Sequence, residues 1–267
     1  MRDNPIGVFD SGVGGLTVAK EIMNQLPNEN IVYFGDTARV PYGSKSKETI
    51  ITFSRQITDF LRTKNVKAIV VACNTASARA VEVLKQENDI PIICVVEPGS
   101  KTASTTTVNQ KIGVIGTEAT VNSGIYSQYL RKNNPDVQVY SKACPLFVPL
   151  VEENWLYDSV TIEIAERYLS ELIGYGIDTL VLGCTHYPLL RHTLQKVVGD
   201  KVCLVNPAYE TAITLKRVLE EKQLNRLSKE NDHKFYVSDG AEKFKAFANT
   251  ILPCDVMETD DVNIEQY

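Results

Sequence analysis

Several features that mark other classes of protein are missing from this sequence of 267 residues. It contains no Cys-x-x-Cys pair and only three histidines, so we expect no cysteine-rich zinc site. No apolar run approaches the length of a transmembrane helix. The formal net charge of −5 argues against nucleic acid or an anionic membrane as the main partner. Residues 1–5 lead straight into a strand, which indicates no signal peptide and predicts a cytoplasmic protein.

The six cysteines are therefore expected to be reduced thiols, and two of them differ from the rest. Cys94 and Cys203 lie inside apolar runs, where cysteine usually packs as a small buried hydrophobe. Cys73 and Cys184 instead follow such runs, and small polar residues come next. These runs are typical of buried parallel strands, whose carboxyl ends bind ligands in open α/β sheets. Two cysteines at two such ends are candidates for one shared site.

The order of the elements predicts an α/β fold. Strands and helices alternate along the chain, which is the pattern of a parallel sheet with helices on both faces. The segment 41–44 is polar and rich in turn residues, so it is predicted to be a loop outside the core. The predicted strands of the first part are 6–10, 31–34, 66–72 and 92–96, with helices at 16–26, 48–64 and 76–88. Beyond residue 207 the pattern predicts a helix at 210–222, a charged loop at 226–232, a strand at 234–238 and a helix at 241–250.

The second part of the chain repeats the first. Four short segments recur in the same order, 106 to 111 positions further on. This indicates an internal duplication, although generic βα units would be the plainer explanation. We therefore predict two pseudo-symmetric lobes, each a mainly parallel sheet flanked by helices, with the active site in the cleft between them. The first lobe is predicted to comprise residues 1–97 plus 208–267, and the second lobe residues 98–207.

The equivalent positions of Cys73 and Cys184 favour one kind of chemistry. Each precedes a predicted helix or turn N-terminus, where free N–H groups stabilise an anion, so we expect thiol pKa values lowered towards neutral. Disulfide exchange would place the two sulfurs in a short motif, and a thiol hydrolase would leave the second cysteine idle. Inversion of a carbon centre instead needs two like groups that exchange the roles of acid and base. The pair therefore predicts a proton-transfer enzyme.

Two further residues are candidates with a plain structural alternative. Asp10 ends the first strand and could bind a substrate ammonium group or help to deprotonate Cys73, but an aspartate before a glycine-rich turn also caps helices. His186 follows Cys184 by two positions and could assist that thiol, although a structural histidine is the usual default. The glycine-rich turn 12–15 lacks the dinucleotide-binding spacing and is best explained as a tight strand-to-helix turn.

The motifs Phe9-Asp10-Ser11-Gly12-Val13-Gly14-Gly15, Pro41-Tyr42-Gly43, Ala72-Cys73-Asn74-Thr75-Ala76 and Gly183-Cys184-Thr185-His186-Tyr187-Pro188 together resemble the bacterial glutamate racemases. The resemblance runs from about residue 6 to 236. The family belongs to the cofactor-independent aspartate/glutamate racemases. It therefore implies reversible conversion of L-glutamate to D-glutamate for peptidoglycan synthesis, with no cofactor and no metal.

The resemblance also implies roles for particular residues. Cys73 and Cys184 would be the acid/base pair, with Asp10, His186 and Glu152 as acidic or basic partners. The implied substrate contacts are Asp10, Ser11, Tyr42, Gly43, Asn74, Thr75, Thr117, Thr120, Thr185 and His186. Family members are often homodimers, and we expect one here.

Two rival functions stay open on the sequence. Aspartate racemase is the nearest, although an acid usually replaces His186 in that branch. A non-catalytic two-lobed protein that binds an amino acid would share the fold but would not exchange the α-hydrogen with solvent.

Overall fold

The computed structural model describes residues 2–228 and 231–267. The predicted charged loop at 226–232 includes residues 229 and 230, which lie outside this described part. The strands are β1 (Ile6–Asp10), β2 (Ile31–Gly35), β3 (Ala68–Val71), β4 (Ile92–Cys94), β5 (Lys111–Gly116), β6 (Gln138–Ala143), β7 (Thr179–Gly183), β8 (Cys203–Val205), β9 (Lys234–Val237) and β10 (Asp260–Asp261). The α-helices are α1 (Leu16–Gln25), α2 (Lys47–Thr63), α3 (Asn74–Arg79), α4 (Val81–Glu87), α5 (Val96–Thr106), α6 (Glu118–Ser123), α7 (Ile125–Asn133), α8 (Phe147–Glu152), α9 (Ser159–Gly174), α10 (Arg191–Val198), α11 (Pro207–Glu221) and α12 (Ala241–Ile251).

These strands form two sheets in which every pair is parallel. The first sheet has the order β10-β9-β2-β1-β3-β4, and the second has the order β6-β5-β7-β8. Strands β1, β3, β5 and β7 are buried along nearly their whole length, as the apolar runs predicted. The fold is therefore α/β, with two lobes that each consist of a parallel sheet and helices. Among the described residues, no helix is long and apolar enough to cross a membrane.

The duplication is visible in the strand order and in the packing. The order β2-β1-β3-β4 of the first sheet corresponds to β6-β5-β7-β8 of the second. Gly7 in β1 and Gly113 in β5 occupy matching places, because each lets the side chains of a helix, a loop and the neighbouring strand approach the backbone closely. A Cβ atom on Gly7 would meet Leu61, Val66 and Ile69, and one on Gly113 would meet Leu172, Ile177 and Leu180.

The C-terminal segment adds two strands to the first sheet. Strand β9 pairs with β2, and β10 pairs with β9. In the sequence, helix α11 follows β8 of the second sheet and precedes β9 of the first. It packs on both α1 and α5. The lobe boundaries at 97/98 and 207/208 stay a prediction, because they fall inside helices α5 and α11, which pack on each other.

Three local predictions differ from the structure. The predicted strand 92–96 ends at Cys94, and Pro98 lies in the first turn of α5, where a missing N–H costs nothing because these groups have no intrahelical partner. The predicted helix 76–88 begins at Asn74 and is divided at Ala80. Tyr42, predicted to lie outside the core, is only 2% exposed because its hydroxyl donates to the buried carboxylate of Asp36.

Cys203 also differs from its prediction. The residue was expected to pack as a buried hydrophobe inside an apolar run, but it is exposed. It opens the edge strand β8, whose first position faces solvent while Leu204 and Val205 are buried. Cys94, in contrast, is buried as expected.

Candidate active site

Cys73 and Cys184 lie at corresponding ends of the two sheets. Cys73 follows β3, which pairs with β1, and Cys184 follows β7, which pairs with β5. Both side chains are buried, and both line the same cavity of about 420 Å³. The strand ends of both lobes thus open into one shared cavity, and the carboxyl ends of strands are where ligands bind in open α/β sheets.

The cavity is lined by both polar and apolar residues. None of the described lysines or arginines lines it, so His186 is the one basic side chain that the structure places there. Anionic groups of a ligand would therefore be held mainly by hydroxyl, amide and backbone N–H donors. The lining residues are Ser11, Gly12, Val40, Pro41, Tyr42, Gly43, Ser44, Cys73, Asn74, Thr75, Thr117, Glu118, Pro145, Val148, Pro149, Glu152, Cys184, Thr185 and His186.

The Cys73 thiol is held at the N-terminus of α3. Its sulfur accepts a hydrogen bond from the N–H of Ala76 at 3.4 Å, and the thiol donates to Ser11 Oγ at 3.6 Å. Burial and the nearby negative charge of Asp10 nevertheless raise the pKa of Cys73 to about 12. The expectation of a pKa lowered towards neutral was wrong for this cysteine, because a helix of six residues offers too little positive potential to offset desolvation and a carboxylate.

Cys184 has a different partner. Its sulfur lies 3.8 Å from His186 Nδ1, and His186 Nε2 lies 3.1 Å from Glu152 Oε1. Burial alone would lower the pKa of His186, but its bonds to Cys184 and Glu152 and the charges of Cys184 and Asp10 raise this pKa to about 10. The bond to His186 in turn lowers the pKa of Glu152. At neutral pH the ring is therefore an imidazolium between a sulfur and a carboxylate.

Asp10 is fully buried behind the cavity rather than in its lining. Its carboxylate accepts hydrogen bonds from the N–H groups of Gly12 at 3.2 Å and Gly15 at 3.0 Å, so it stabilises the glycine-rich turn. It is not the N-cap of α1, because that position is Gly15. It also accepts a longer bond of 3.5 Å from Thr185 Oγ1 of the other lobe. Burial raises the pKa of Asp10, against the opposing charge of His186. Asp10 therefore links the two lobes through Thr185, and its charge acts on both Cys73 and His186.

Three threonine hydroxyls from both lobes form a cluster at the cavity wall. Thr75 Oγ1 lies 2.9 Å from Thr117 Oγ1 and 3.3 Å from Thr120 Oγ1. Thr117 caps α6 by accepting from the N–H of Thr120 at 3.3 Å. Thr75 and Thr117 line the cavity, whereas Thr120 lies behind them. The cluster offers donors at two helix N-termini, a suitable environment for a carboxylate.

The wall that carries Tyr42 and Gly43 is supported by residues that the sequence did not single out. Asp36 accepts the hydroxyl of Tyr42 and two bonds from Arg39 Nε at 2.9 and 2.8 Å. The Arg39 guanidinium lies 3.9 Å above the Phe53 ring. Asp36 directly follows β2, just as Asp10 ends β1. This similarity in position was the one sequence feature that could have marked Asp36 as part of the site. No sequence motif marked the apolar residues that line the cavity, which are Val40, Pro145, Val148 and Pro149.

The fold and the cavity together define a two-lobed α/β protein in which one thiol of each lobe lines a shared cavity. Comparison with known proteins gives the family. The family model described as Asp/Glu/Hydantoin racemase matches residues 6–212. The chain belongs to this family.

The similar proteins share nearly the full length. A curated glutamate racemase of Geobacter metallireducens is 48% identical over 261 residues, 97% of each chain. The crystal structure of a glutamate racemase isoform from Bacillus anthracis has a TM-score of 0.95 at 39% identity, covering 98% of each chain. The crystal structure of the glutamate racemase of Francisella tularensis in complex with D-glutamate has a TM-score of 0.94 at 39% identity, covering 100% of each chain. An aspartate racemase of Picrophilus torridus, 18% identical with a TM-score of 0.56 over 84% of this chain and 100% of that one, shares the fold alone.

Proposed function

We propose that this protein is a glutamate racemase that interconverts L-glutamate and D-glutamate by proton transfer between two thiols, without a cofactor. The observation that carries the proposal is the pair Cys73 and Cys184, one from each repeat, in the lining of one cavity. The full-length likeness to glutamate racemases at 39–48% identity supports the choice of substrate.

The proposed reaction is balanced between the two sulfurs. One cysteine, as thiolate, takes the proton from the α-carbon, so that a C–H bond breaks, an S–H bond forms and the electron pair is delocalised into the α-carboxylate. The other cysteine, as thiol, gives its proton to the opposite face of the same carbon. The product is the other enantiomer, and the two cysteines have exchanged protonation states. The reverse reaction then starts from the state that the forward reaction leaves.

The surroundings of the two sulfurs suit this division of roles. With a pKa of about 12, Cys73 is a thiol at neutral pH and is ready to donate a proton. Cys184 lies beside the protonated ring of His186, which stabilises a thiolate. In one direction of the reaction Cys184 would act as the base and Cys73 as the acid. A bound substrate ammonium group near Asp10 and Cys73 would ease the opposite state by offsetting the negative charge there.

The substrate contacts stay proposals. Ser11, Asn74, Thr75, Thr117 and Thr185 provide polar groups on the cavity wall that suit the two carboxylates of glutamate. Tyr42 and Gly43 would contribute their backbone and ring surfaces, since the Tyr42 hydroxyl is occupied by Asp36. Thr120 would act through Thr75 and Thr117. We also propose a cytoplasmic location, a homodimer and a role in peptidoglycan synthesis, all three resting on the family likeness.

The substrate assignment is tested by assaying both amino acids. Purified protein should racemise L-glutamate and D-glutamate, followed by circular dichroism of the substrate, and should turn over aspartate at least about 10²-fold less efficiently, because a shorter chain cannot reach both carboxylate sites. Turnover of aspartate but not glutamate would assign the protein to the aspartate branch. Binding of glutamate with no turnover of either would favour the non-catalytic alternative.

Activity should survive reagents that disable metal or carbonyl cofactors. The proposed steps use only side chains of this chain, so neither EDTA nor hydroxylamine is expected to lower kcat by more than about twofold. A thiol alkylating reagent is the positive control and should abolish turnover, with protection by glutamate. Loss of activity with the chelator, restored by a divalent metal, would contradict the thiol-only scheme.

Gly14→Ala should disturb the Cys184–His186 pair. A Cβ atom at this position would lie 2.4 Å from Thr185 Oγ1 and 2.5 Å from His186 Nδ1, the atom that faces the sulfur. We expect a fall in kcat/KM of at least about tenfold with the fold retained, since overpacking costs roughly 1–3 kcal/mol. Gly174→Ala is the matched control, because nothing lies within 4 Å of its Cβ position. Equal activity in the two variants would show that this close approach has no catalytic role.

A further inference from the structure

Tyr126 contacts the residues next to both cysteines, although no motif in the sequence marked it. It lies in α7 of the second lobe and is 2% exposed. Its hydroxyl lies 2.5 Å from Asn74 Oδ1, and Asn74 directly follows Cys73 in the first lobe. The edge of its ring lies so close to Gly183, which precedes Cys184, that a Cβ there would be 3.0 Å from Cε2. One buried side chain thus touches the neighbours of both proposed acid/base residues.

The hydroxyl of Tyr126 keeps its proton at this position and donates it to Asn74. Burial, with smaller effects from Cys94 and Cys184, raises the pKa of Tyr126 well above its usual value. Its proton is therefore directed at the Asn74 carbonyl oxygen. An amide whose oxygen is already engaged has its two N–H donors left for other partners.

The orientation of this amide matters for an anionic ligand. Asn74 is 4% exposed and lines the cavity at the N-terminus of α3, between Cys73 and Thr75. Turned one way, the amide presents N–H groups to the cavity; turned the other way, it presents a carbonyl oxygen that would repel a carboxylate. The bond from Tyr126 selects the first arrangement, because only then is the phenol proton accepted.

We propose that Tyr126 is a positioning residue that fixes the Asn74 amide with its N–H group towards a substrate carboxylate. A residue of the second lobe would thus raise the affinity of a binding group in the first lobe. This inference rests on the proposed function, since it assumes that the ligand carries a carboxylate. The residue acts through Asn74 and does not take part in proton transfer.

Tyr126→Phe tests the inference, because it removes one oxygen and keeps the ring against Gly183. The KM values of L-glutamate and D-glutamate should both rise roughly tenfold, as for one lost hydrogen bond to a charged group, with kcat changed by less than about threefold. Both enantiomers are affected alike because the carboxylate contact is common to them. Calorimetric titration with D-glutamate should show Kd rising by the same factor. Tyr129→Phe is the matched control, since it removes a hydroxyl from the same helix whose 3.5 Å bond goes to exposed Glu82.

A double-mutant cycle separates positioning from a general loss of packing. Asn74→Ala should weaken glutamate binding at least as much as Tyr126→Phe, and the double variant should be no weaker than Asn74→Ala alone. Unchanged KM in Tyr126→Phe, a fall in kcat at constant KM, or additive effects in the cycle would each overturn the inference. None of these outcomes would affect the proposed function, because the parent protein would still racemise glutamate. If the parent protein bound glutamate without racemising it, the proposed function would be overturned, but the binding measurements of the cycle would still test the role of Tyr126. A parent that does not bind glutamate overturns both.

Discussion

Cys73→Ser and Cys184→Ser should each lower the rate of racemisation by at least about 10³-fold, because a serine hydroxyl is far too weak an acid to exchange the α-proton and general acid–base groups contribute roughly 10²–10⁴-fold. Both losses should be similar in size even though the two thiols have different surroundings, since every turnover in either direction uses both. The measurement is the rate of change of circular dichroism with each pure enantiomer of glutamate.

Matched cysteine variants control for the loss of a thiol as such. Cys94→Ser removes a buried sulfur that ends β4 beside the Cys73 strand but does not line the cavity. Cys203→Ser removes an exposed one in β8, beside the Cys184 strand. Both should retain activity within about threefold, with roughly 1–3 kcal/mol lost in stability at the buried site, where a hydroxyl replaces a thiol. Normal turnover by either Cys73→Ser or Cys184→Ser would contradict the two-thiol account.

His186→Asn should have the second largest effect, a fall of about 10² in kcat/KM, because it removes the positive charge beside Cys184. The two enantiomers have equal free energy, so kcat/KM must fall by the same factor in both directions. The asymmetry should appear instead in solvent exchange: the α-hydrogen of the enantiomer deprotonated by Cys184 should exchange more slowly than that of the other. Equal slowing of both exchanges would argue that His186 serves the substrate rather than this sulfur.

The pH dependence of activity is a second test of the His186–Cys184 pair. The charge of His186 is present below its pKa of about 10 and is lost as the pH rises through that value, so activity should decline on the alkaline side near pH 10. Glu152→Gln removes the carboxylate that helps to hold this proton. The alkaline limb should therefore move to lower pH, by about one unit, while activity near pH 7 falls much less than in His186→Asn. An unmoved limb would mean that another group sets it.

Much of the fold was predictable because its signals are local and repeated. The buried runs around β3 and β7 could be assigned from composition alone, and their recurrence after about 110 positions placed Cys73 and Cys184 at equivalent strand ends. Parallel strands bring such ends to one edge of their sheet, so the duplication predicted one cysteine at the ligand-binding edge of each lobe. The way the two sheets face each other could not be derived from it.

The electrostatics of the site could not be predicted in the same way. A motif shows that Cys73 precedes a helix, but it does not show that Asp10 is buried beside the thiol and that both are withdrawn from water, and these two facts decide the pKa. The supporting contacts were missed for a related reason. Asp36 and Tyr126 act on cavity residues across 6 and 52 positions of sequence, through packing that no local pattern records.

The most direct test of the two-thiol mechanism follows the α-hydrogen in deuterated water with each cysteine variant. With the native protein, glutamate of either hand should gain deuterium at the α-carbon as it is inverted. Each Cys→Ser variant should still exchange the α-hydrogen of one enantiomer only, a different one in each variant, without inverting it, because the remaining sulfur reaches a single face of the carbon. If one variant exchanged both enantiomers, or inverted either at the native rate, the two sulfurs would not lie on opposite sides of the substrate.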